Sequence, residues 1–121
     1  MTRKGSMRKE WIEALESGRY KQTKEYLARR GAKKSASYCC LGVAGRVAGL
    51  NVGELEGQEN ICDFPHSIRE DFRRQFNTTE RVEMALAFLN DDKGYTFDKI
   101  AKLLKRGNKA ILAESNKEKP L

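Results

Sequence analysis

Residues 38–50 constrain the fold of this 121-residue chain more than any other stretch. They read Tyr-Cys-Cys-Leu-Gly-Val-Ala-Gly-Arg-Val-Ala-Gly-Leu and hold a single side chain of fixed charge, Arg46, although 34% of the whole sequence is charged. An apolar run of this kind must be buried, so the charged segments on either side have to fold over it. Its apolar residues cover more than one face at helical spacing. This predicts a helix from about Cys40 to Ala48 that is buried nearly all round.

Glycines inside this predicted helix indicate close packing. Each interior glycine costs a helix roughly 1 kcal/mol relative to alanine. That cost is explained if neighbouring elements approach the backbone at Gly42 and Gly45. Gly49 is then the residue that ends the helix.

The rest of the chain predicts an α+β protein that is mainly α-helical, a single small domain of about five helices with a minor two-stranded ribbon. Met7–Ser17 carries an apolar stripe on which Trp11 is predicted to anchor the core. Thr96 is predicted to cap the last firm helix, and Asn77 the helix before it. The predicted helices cover residues 7–17, 40–48, 67–76, 80–89 and 97–107, with one more turn at 108–114.

The predicted ribbon pairs an extended segment that begins at Tyr20 with Ser35–Cys39, through a basic turn around Gly31–Lys34. Tyr26–Arg30 is equally compatible with a helix. Residues 51–66 contain glycine, proline and acidic side chains, which predicts a loop that acts as a lid or a contact surface. The predicted limits are a disordered segment at 1–6, one globular domain at 7–114 and a polar tail at 115–121.

The positive charge is concentrated in the first third of the chain. The net charge is +7, and residues 1–34 alone hold eleven basic and four acidic side chains. A field of this sign attracts nucleic acid, nucleotides or an acidic protein surface. Solubility alone explains a small basic domain equally well.

Cations and tyrosines alternate within this basic third, which predicts a ligand-binding surface. Cations neutralise phosphates while tyrosine rings stack on bases, a combination that suits nucleotides or single strands. A solvated charged face over a core tyrosine is the alternative. The predicted ligand-binding residues are Arg19, Tyr20, Lys21, Lys24, Tyr26, Arg29, Arg30, Lys33 and Lys34.

The three cysteines are predicted to be reduced thiols of a cytosolic protein, because two of them are adjacent and the count is odd. Cys62-x-x-x-His66 has a spacing that zinc ligands use, and Cys39 or Cys40 with His66 could form a nucleophile and base. Buried structural thiols are favoured over both, so no metal, no cofactor and no catalytic residue is predicted.

Two further segments resemble known sites. Residues 90–97 resemble part of a calcium loop. With Gly94 at the sixth position of such a loop, the first, fifth and twelfth positions, which need carboxylates, hold Leu89, Lys93 and Ile100, so a calcium site is excluded. Residues 96–114 resemble a helix-turn-helix unit in which Asn108 and Lys109 would contact bases. An ordinary amphipathic helix explains the same pattern, and a DNA-binding regulator is kept as an alternative function.

Three blocks of residues carry a family resemblance. They are Trp11-x-x-Ala14-Leu15-x-Ser17-Gly18-x-Tyr20-Lys21-Gln22, Tyr38-Cys39-Cys40-Leu41-Gly42-Val43, and Leu89-Asn90-Asp91-x-x-Gly94-x-x-Phe97-x-x-Ile100-Ala101. Over residues 10–104 the chain resembles small, mostly uncharacterised proteins of tailed bacteriophages and prophages. That family often has a further cysteine after the valine, whereas this chain reads Ala44-Gly45-Arg46 there. The resemblance implies a phage accessory protein in a bacterial cytoplasm, with no activity to carry over.

The sequence therefore predicts a non-catalytic protein that binds an anionic partner and so alters host defence or host metabolism. The partner is a nucleotide held between protomers of a homo-oligomer, a nucleic acid, or an acidic face of a host protein. No membrane partner is predicted, because no run approaches the length of about 20 apolar residues that a span needs. A small Cys-His hydrolase is the third alternative.

Overall fold

A computed structural model of the protein describes residues 5–31 and 35–117, and in these ranges the chain is mainly α-helical with one small sheet. The helices are α1 (Arg8–Glu16), α2 (Cys40–Val47), α3 (Val52–Leu55), α4 (His66–Phe76), α5 (Glu80–Asp91), α6 (Phe97–Arg106) and α7 (Asn108–Asn116), with a 3₁₀ turn at Ile61–Asp63. The strands are β1 (Lys21–Gln22), β2 (Ala28–Arg30) and β3 (Ala36–Tyr38). The α+β class with mainly helical content is confirmed. No described helix combines the length and apolar character needed to cross a membrane.

Helix α2 lies in the core, as its sequence predicts. Every residue from Cys40 to Gly45 is buried. A β-carbon on Gly42 would stand 1.7 Å from the carbonyl oxygen of Leu27, and one on Gly45 would stand 2.7 Å from a methyl of Leu55. Gly42 therefore lets the backbone before β2 approach at a distance that no larger residue allows, and Gly45 lets the Leu55 side chain of α3 pack closely against α2.

Trp11 anchors α1 against this helix. Its ring is fully buried, its indole Nε1 donates a hydrogen bond to the Cys40 carbonyl at 2.9 Å, and its edge meets Phe76 at 5.4 Å between ring centres. The predicted role of Trp11 in the core is confirmed. A buried indole needs one acceptor, and the first turn of α2 supplies it.

The sheet has three strands, so the prediction of a two-stranded ribbon is wrong in strand number. Its order is β1-β3-β2, with β1 parallel to β3 and β2 antiparallel to β3. The predicted pairing of the segment after Tyr20 with Ser35–Cys39 is confirmed, since β1 and β2 both lie in that segment and both pair with β3. Sequence alternation identifies extended segments, whereas it does not identify which segment becomes the neighbour of which.

Asn90, a fully buried side chain of α5, ties the sheet to α2. Its Oδ1 accepts hydrogen bonds from Gln22 Nε2 at 2.8 Å and from the Cys40 amide at 3.2 Å. Its Nδ2 donates to the Thr23 carbonyl at 2.9 Å and to Asp91 Oδ1 at 2.8 Å. All four hydrogen-bonding positions of the amide are used, so burial leaves none of them unsatisfied.

Residues 51–66 are not the irregular loop that was predicted. They contain α3, whose Asn51 and Glu54 form a reciprocal capping box, and the 3₁₀ turn. The segment also returns to the sheet, because Ala28 forms a parallel bridge with Glu56 and the Leu27 amide donates to the Gln58 carbonyl at 2.7 Å. Three apolar residues of the segment, Leu55, Ile61 and Phe64, are buried, and they anchor it without a long helical pattern.

The helix ends agree in part with the predicted caps. Thr96 caps α6 by accepting from the Lys99 amide, as predicted. Thr79 rather than Asn77 caps α5, because Asn77 is the left-handed residue that ends α4 at φ 54°. Between these helices the buried Glu83 accepts a forked hydrogen bond from Arg73 and one from Thr78 at 2.9 Å.

The chain also extends past both predicted domain limits. The Gly5 amide donates to the Arg74 carbonyl at 2.7 Å, in a segment predicted as disordered. Helix α7 runs to Asn116, two residues into the predicted tail. Residues 1–4 and 118–121, which complete those two predicted segments, lie outside the described ranges.

Candidate functional site

One face of the sheet presents cations to solvent. The strand register aligns Lys21 with Ser37 and Ser37 with Arg29, so these three side chains share a face. Lys21 and Arg29 are exposed and Ser37 is half-buried. Because neighbouring strands lie about 4.8 Å apart, the Lys21 and Arg29 backbones stand roughly 10 Å apart on either side of the serine. We call these three residues the sheet face.

The opposite face explains why the sheet presents this side. The next row of the register aligns Gln22, Tyr38 and Ala28, of which Tyr38 and Ala28 are buried. The tyrosine and the alanine pack into the core, while Gln22 bonds to Asn90. A shift of one residue in the register would bury the cations, so packing of the inner face fixes the outward direction of the sheet face.

An open cleft adjoins the sheet face at the β2 edge. It measures about 360 Å³ and is lined by Tyr26, Ala28, Arg29, Arg30, Glu56 and Gly57. Arg29 lies over the Tyr26 ring, with 5.2 Å from the guanidinium carbon to the ring centre. Arg30 forms an ion pair with Glu56 at 3.4 Å, and both side chains are partly exposed. We call this the Tyr26 cleft.

The structure separates the other predicted ligand-binding residues from this group. Tyr20 packs edge-on against Tyr38 at 5.5 Å between ring centres, on the core side of the sheet. Lys24 is exposed, and its Nζ lies 3.7 Å from the point where a β-carbon on Gly94 would stand. Arg19 is exposed after the end of α1. Lys33 and Lys34 lie outside the described residues.

The paired thiols are buried and protonated. Burial raises the pKa of Cys39 to about 12 and raises the pKa of Cys40 well above its usual value. The Cys40 thiol faces the Leu86 carbonyl at 3.7 Å, whereas His66 is exposed at the start of α4. A thiol that keeps its proton at neutral pH is a poor nucleophile, so this geometry gives no support to the Cys-His alternative.

Cys62 stands apart from the other two cysteines. Its Sγ lies 3.5 Å from both Arg73 Nη2 and Glu80 Oε1, and burial together with the Glu80 contact raises its pKa. Within residues 5–31 and 35–117, no three His, Cys, Asp or Glu side chains are grouped so as to hold a metal ion.

The helices of the predicted helix-turn-helix segment are connected tightly. Gly107 alone separates α6 from α7, and its φ of 113° lies where glycine is favoured. The Asn108 side chain is used inside the protein, because its Oδ1 accepts from Arg8 at 2.8 Å and its Nδ2 donates to the Asn77 carbonyl at 2.8 Å. Of the two predicted base readers, Lys109 alone is exposed.

Sequence reasoning missed part of the candidate site and one feature outside it. Ser37 and Glu56 were not predicted, because their roles arise from strand register and from the return of the chain after α3. The cations of α6 were considered only as part of a helix-turn-helix unit. Their common exposure could have been found from the helical pattern, since the apolar residues of α6 fix which arc faces solvent.

A family model matches part of the chain. Residues 3–56 match a family described as a domain of unknown function, DUF8296. This segment holds α1, the three strands, α2 and α3, and therefore the sheet face and all but Gly57 of the Tyr26 cleft. No curated protein and no solved structure matches the chain.

Proposed function

We propose that this protein is a non-catalytic module that binds single-stranded nucleic acid through the sheet face and the Tyr26 cleft. The observation that carries the proposal is the register that sets Lys21 and Arg29 on one exposed face beside Tyr26. In the setting that the phage resemblance implies, this binding alters host defence or host metabolism in the bacterial cytoplasm.

Electrostatics supports a phosphate-bearing partner. Lys21 and Arg29 are exposed, and the described residues that line up with them in the register include no carboxylate. Arg30 has a carboxylate partner in Glu56, but an exposed pair of this kind contributes little and exchanges readily for a phosphate. Hydrogen bonds between the strands fix the spacing of the Lys21 and Arg29 backbones in the free protein, which lowers the entropic cost of binding.

The aromatic part of the site supports nucleic acid over an acidic protein. Tyr26 is half-buried with Arg29 against its ring, so the pair presents a flat cationic surface. Bases stack on tyrosine rings and on guanidinium planes, and such stacking contributes about 1–3 kcal/mol per base. A carboxylate binds the hydrogen-bonding edge of a guanidinium and gains nothing from a stacking surface.

The open form of the cleft supports a strand over a single nucleotide. Sites for small ligands usually enclose 70–90% of the ligand surface. The Tyr26 cleft is open to solvent and is lined on one side by the Arg30–Glu56 pair. An extended strand needs contacts along its length rather than enclosure.

The experiment is fluorescence anisotropy with a labelled single-stranded oligonucleotide of mixed sequence at low salt. The double variant Lys21→Glu/Arg29→Glu is expected to bind at least tenfold more weakly than the wild type, because two phosphate contacts become repulsive. Circular dichroism checks that both proteins are folded.

The matched control is Arg74→Glu/Arg81→Glu, which changes the net charge equally at exposed positions of α4 and α5. It is expected to keep the wild-type affinity within about threefold, since screening limits distant charges. Equal losses in both variants, or a wild type that does not bind the strand, would overturn the proposal. A nucleotide released from purified protein and identified by mass spectrometry would replace it with the small-ligand alternative.

A further inference from the structure

Helix α6 carries a second set of cations that the proposed site does not include. Its exposed residues after Asp98 are Lys99, Lys102, Lys105 and Arg106. Lys99, Lys102 and Arg106 stand at i, i+3 and i+7, so they form one row about 10 Å long. We call these three residues the α6 row. Lys105 lies beside the row and is paired with Glu16 at 2.7 Å.

The stability of the fold explains the presence of a cation at only some positions of this row. A cation in the last turn, such as Arg106, interacts favourably with the helix dipole. Lys99 in the first turn opposes the dipole, and neighbouring like charges in a row cost about 0.2–0.5 kcal/mol per pair. Among the described residues, neither Lys102 nor Arg106 has a carboxylate within ion-pair distance. Bound phosphates would offset this repulsion.

Direct contacts connect the row to the sheet. Gln22 of β1 donates to the Tyr95 carbonyl at 2.7 Å, and Lys24 Nζ lies beside Gly94. The Lys99 ammonium stands 3.9 Å from the centre of the Tyr95 ring. The cations that follow β1 and those that begin α6 therefore meet at the turn before α6. Carboxylates also lie in the segments that meet here: Glu25 follows Lys24, Asp91 and Asp92 precede the turn, and Asp98 stands in the first turn of α6. Glu114 is engaged by the Tyr95 hydroxyl and by Lys117.

We infer that the α6 row is a second arm of the same nucleic-acid surface, which contacts the backbone of a strand long enough to reach it from the sheet. The inference rests on the proposed function. The row offers ammonium and guanidinium groups, which suit phosphates, and Asn108, one of the two predicted base readers, is already bonded to Arg8 and Asn77. Binding through it is therefore independent of base sequence.

The experiment measures the affinity for oligo-dT strands of about 6 and about 24 nucleotides as a function of salt. The first length lies within the usual site sizes of about 4–16 nucleotides and the second exceeds them. The variant Lys102→Gln/Arg106→Gln is expected to bind the short strand as the wild type does and the long strand at least fivefold more weakly. Its slope of log K against log salt for the long strand is expected to be smaller by roughly 1.4, since each lost phosphate contact removes about 0.7. A long strand of mixed sequence is expected to bind as tightly as oligo-dT.

Two other variants separate the outcomes. Arg74→Gln/Arg81→Gln removes the same amount of charge from α4 and α5 and is expected to bind both strands with wild-type affinity. Lys21→Gln/Arg29→Gln is expected to lower the affinity for both strands. If this variant binds both strands as tightly as the wild type does, the proposed function itself is overturned. The inference alone is overturned if Lys102→Gln/Arg106→Gln keeps wild-type affinity for the long strand or loses equal affinity for both strands. It is also overturned if the wild type binds one base sequence of the long strand with strong preference.

Discussion

At the scale of the residue, Gly42 and Gly45 differ in what lies against them. The space beside Gly42 is filled by the backbone of Leu27, whose carbonyl also accepts a hydrogen bond from the Cys39 amide. The space beside Gly45 is filled by the end of a leucine side chain, Leu55. A backbone at the edge of a sheet cannot move without loss of its hydrogen bonds, whereas a terminal methyl moves by rotation.

Replacing the two glycines therefore has unequal consequences. Gly42→Ala is expected to lower the free energy of unfolding by about 3 kcal/mol or more, because a methyl 1.7 Å from an oxygen forces α2 away from Leu27. Gly45→Ala is expected to change it by no more than about 1 kcal/mol, because the gain in helix propensity offsets the movement of Leu55. Urea unfolding of both variants measures this, and equal losses would contradict the explanation.

The buried thiols give the stability a dependence on alkaline pH. Cys39 has an ordinary pKa near 9 and a pKa of about 12 in the folded protein. Between these values the unfolded chain releases the thiol proton and the folded protein keeps it, so rising pH favours unfolding. This group alone is expected to lower the free energy of unfolding by about 1.4 kcal/mol per pH unit above pH 9, and to contribute nothing to the pH dependence below it.

The variant Cys39→Ala isolates this contribution. At pH 7 the substitution lowers the free energy of unfolding through lost packing, and this loss does not change with pH. Above pH 9 the free energy of unfolding of the wild type falls faster than that of the variant, because only the wild type has the Cys39 thiol. Urea unfolding of both proteins from pH 7 to about pH 10.5 gives the difference. A wild type and variant whose stabilities fall in parallel over that range would show that Cys39 ionises freely in the folded state.

At the scale of the element, Arg8 holds two helix ends together. Its guanidinium donates to the carbonyls of Phe76 and Asn77 at the end of α4, to the Leu104 carbonyl near the end of α6, and to Asn108 at the start of α7. Helix C-termini leave carbonyls unsatisfied and carry partial negative charge, so one cation serves both ends. Partial burial lowers the pKa of Arg8, but an arginine remains charged at any physiological pH.

Replacing Arg8 tests this arrangement. Arg8→Met approximately keeps the volume of the side chain but removes all four hydrogen bonds of the guanidinium, and is expected to cost about 2 kcal/mol. Arg8→Lys retains the charge without the planar fork and is expected to cost about half as much. Thermal unfolding gives the order of the three proteins. A methionine variant as stable as the wild type would show that water satisfies these carbonyls equally well.

Helices were easier to predict from this sequence than the sheet. The apolar run of α2, the stripe around Trp11 and the Thr96 cap are local patterns, and each predicts its element without knowledge of the rest of the fold. The parallel pairing of β1 with β3 depends on Gln22 reaching Asn90, 68 positions away in the sequence. Strands of two or three residues carry too little pattern to specify such partners.

At the scale of the whole molecule, the fold converts a charge gradient along the sequence into surfaces. The sequence places the positive charge in the first third of the chain, and from this the sheet-face cations could be predicted as a group. Their division could not be predicted, because it follows from register: Lys21 and Arg29 share one face while Tyr20 packs on the other with Tyr38. The α6 row joins this surface only through the contacts of Lys24, Gly94 and Tyr95, which bring distant parts of the chain together.

The most direct test of this account is a titration of the ¹⁵N-labelled protein with a single-stranded oligonucleotide, followed by amide chemical shifts. The account predicts that the amides that shift most belong to Lys21, Tyr26, Arg29 and Ser37, with the α6 row added as the strand is lengthened. Shifts confined to α4 and α5, or none at concentrations well above those at which basic proteins bind single strands, would contradict it.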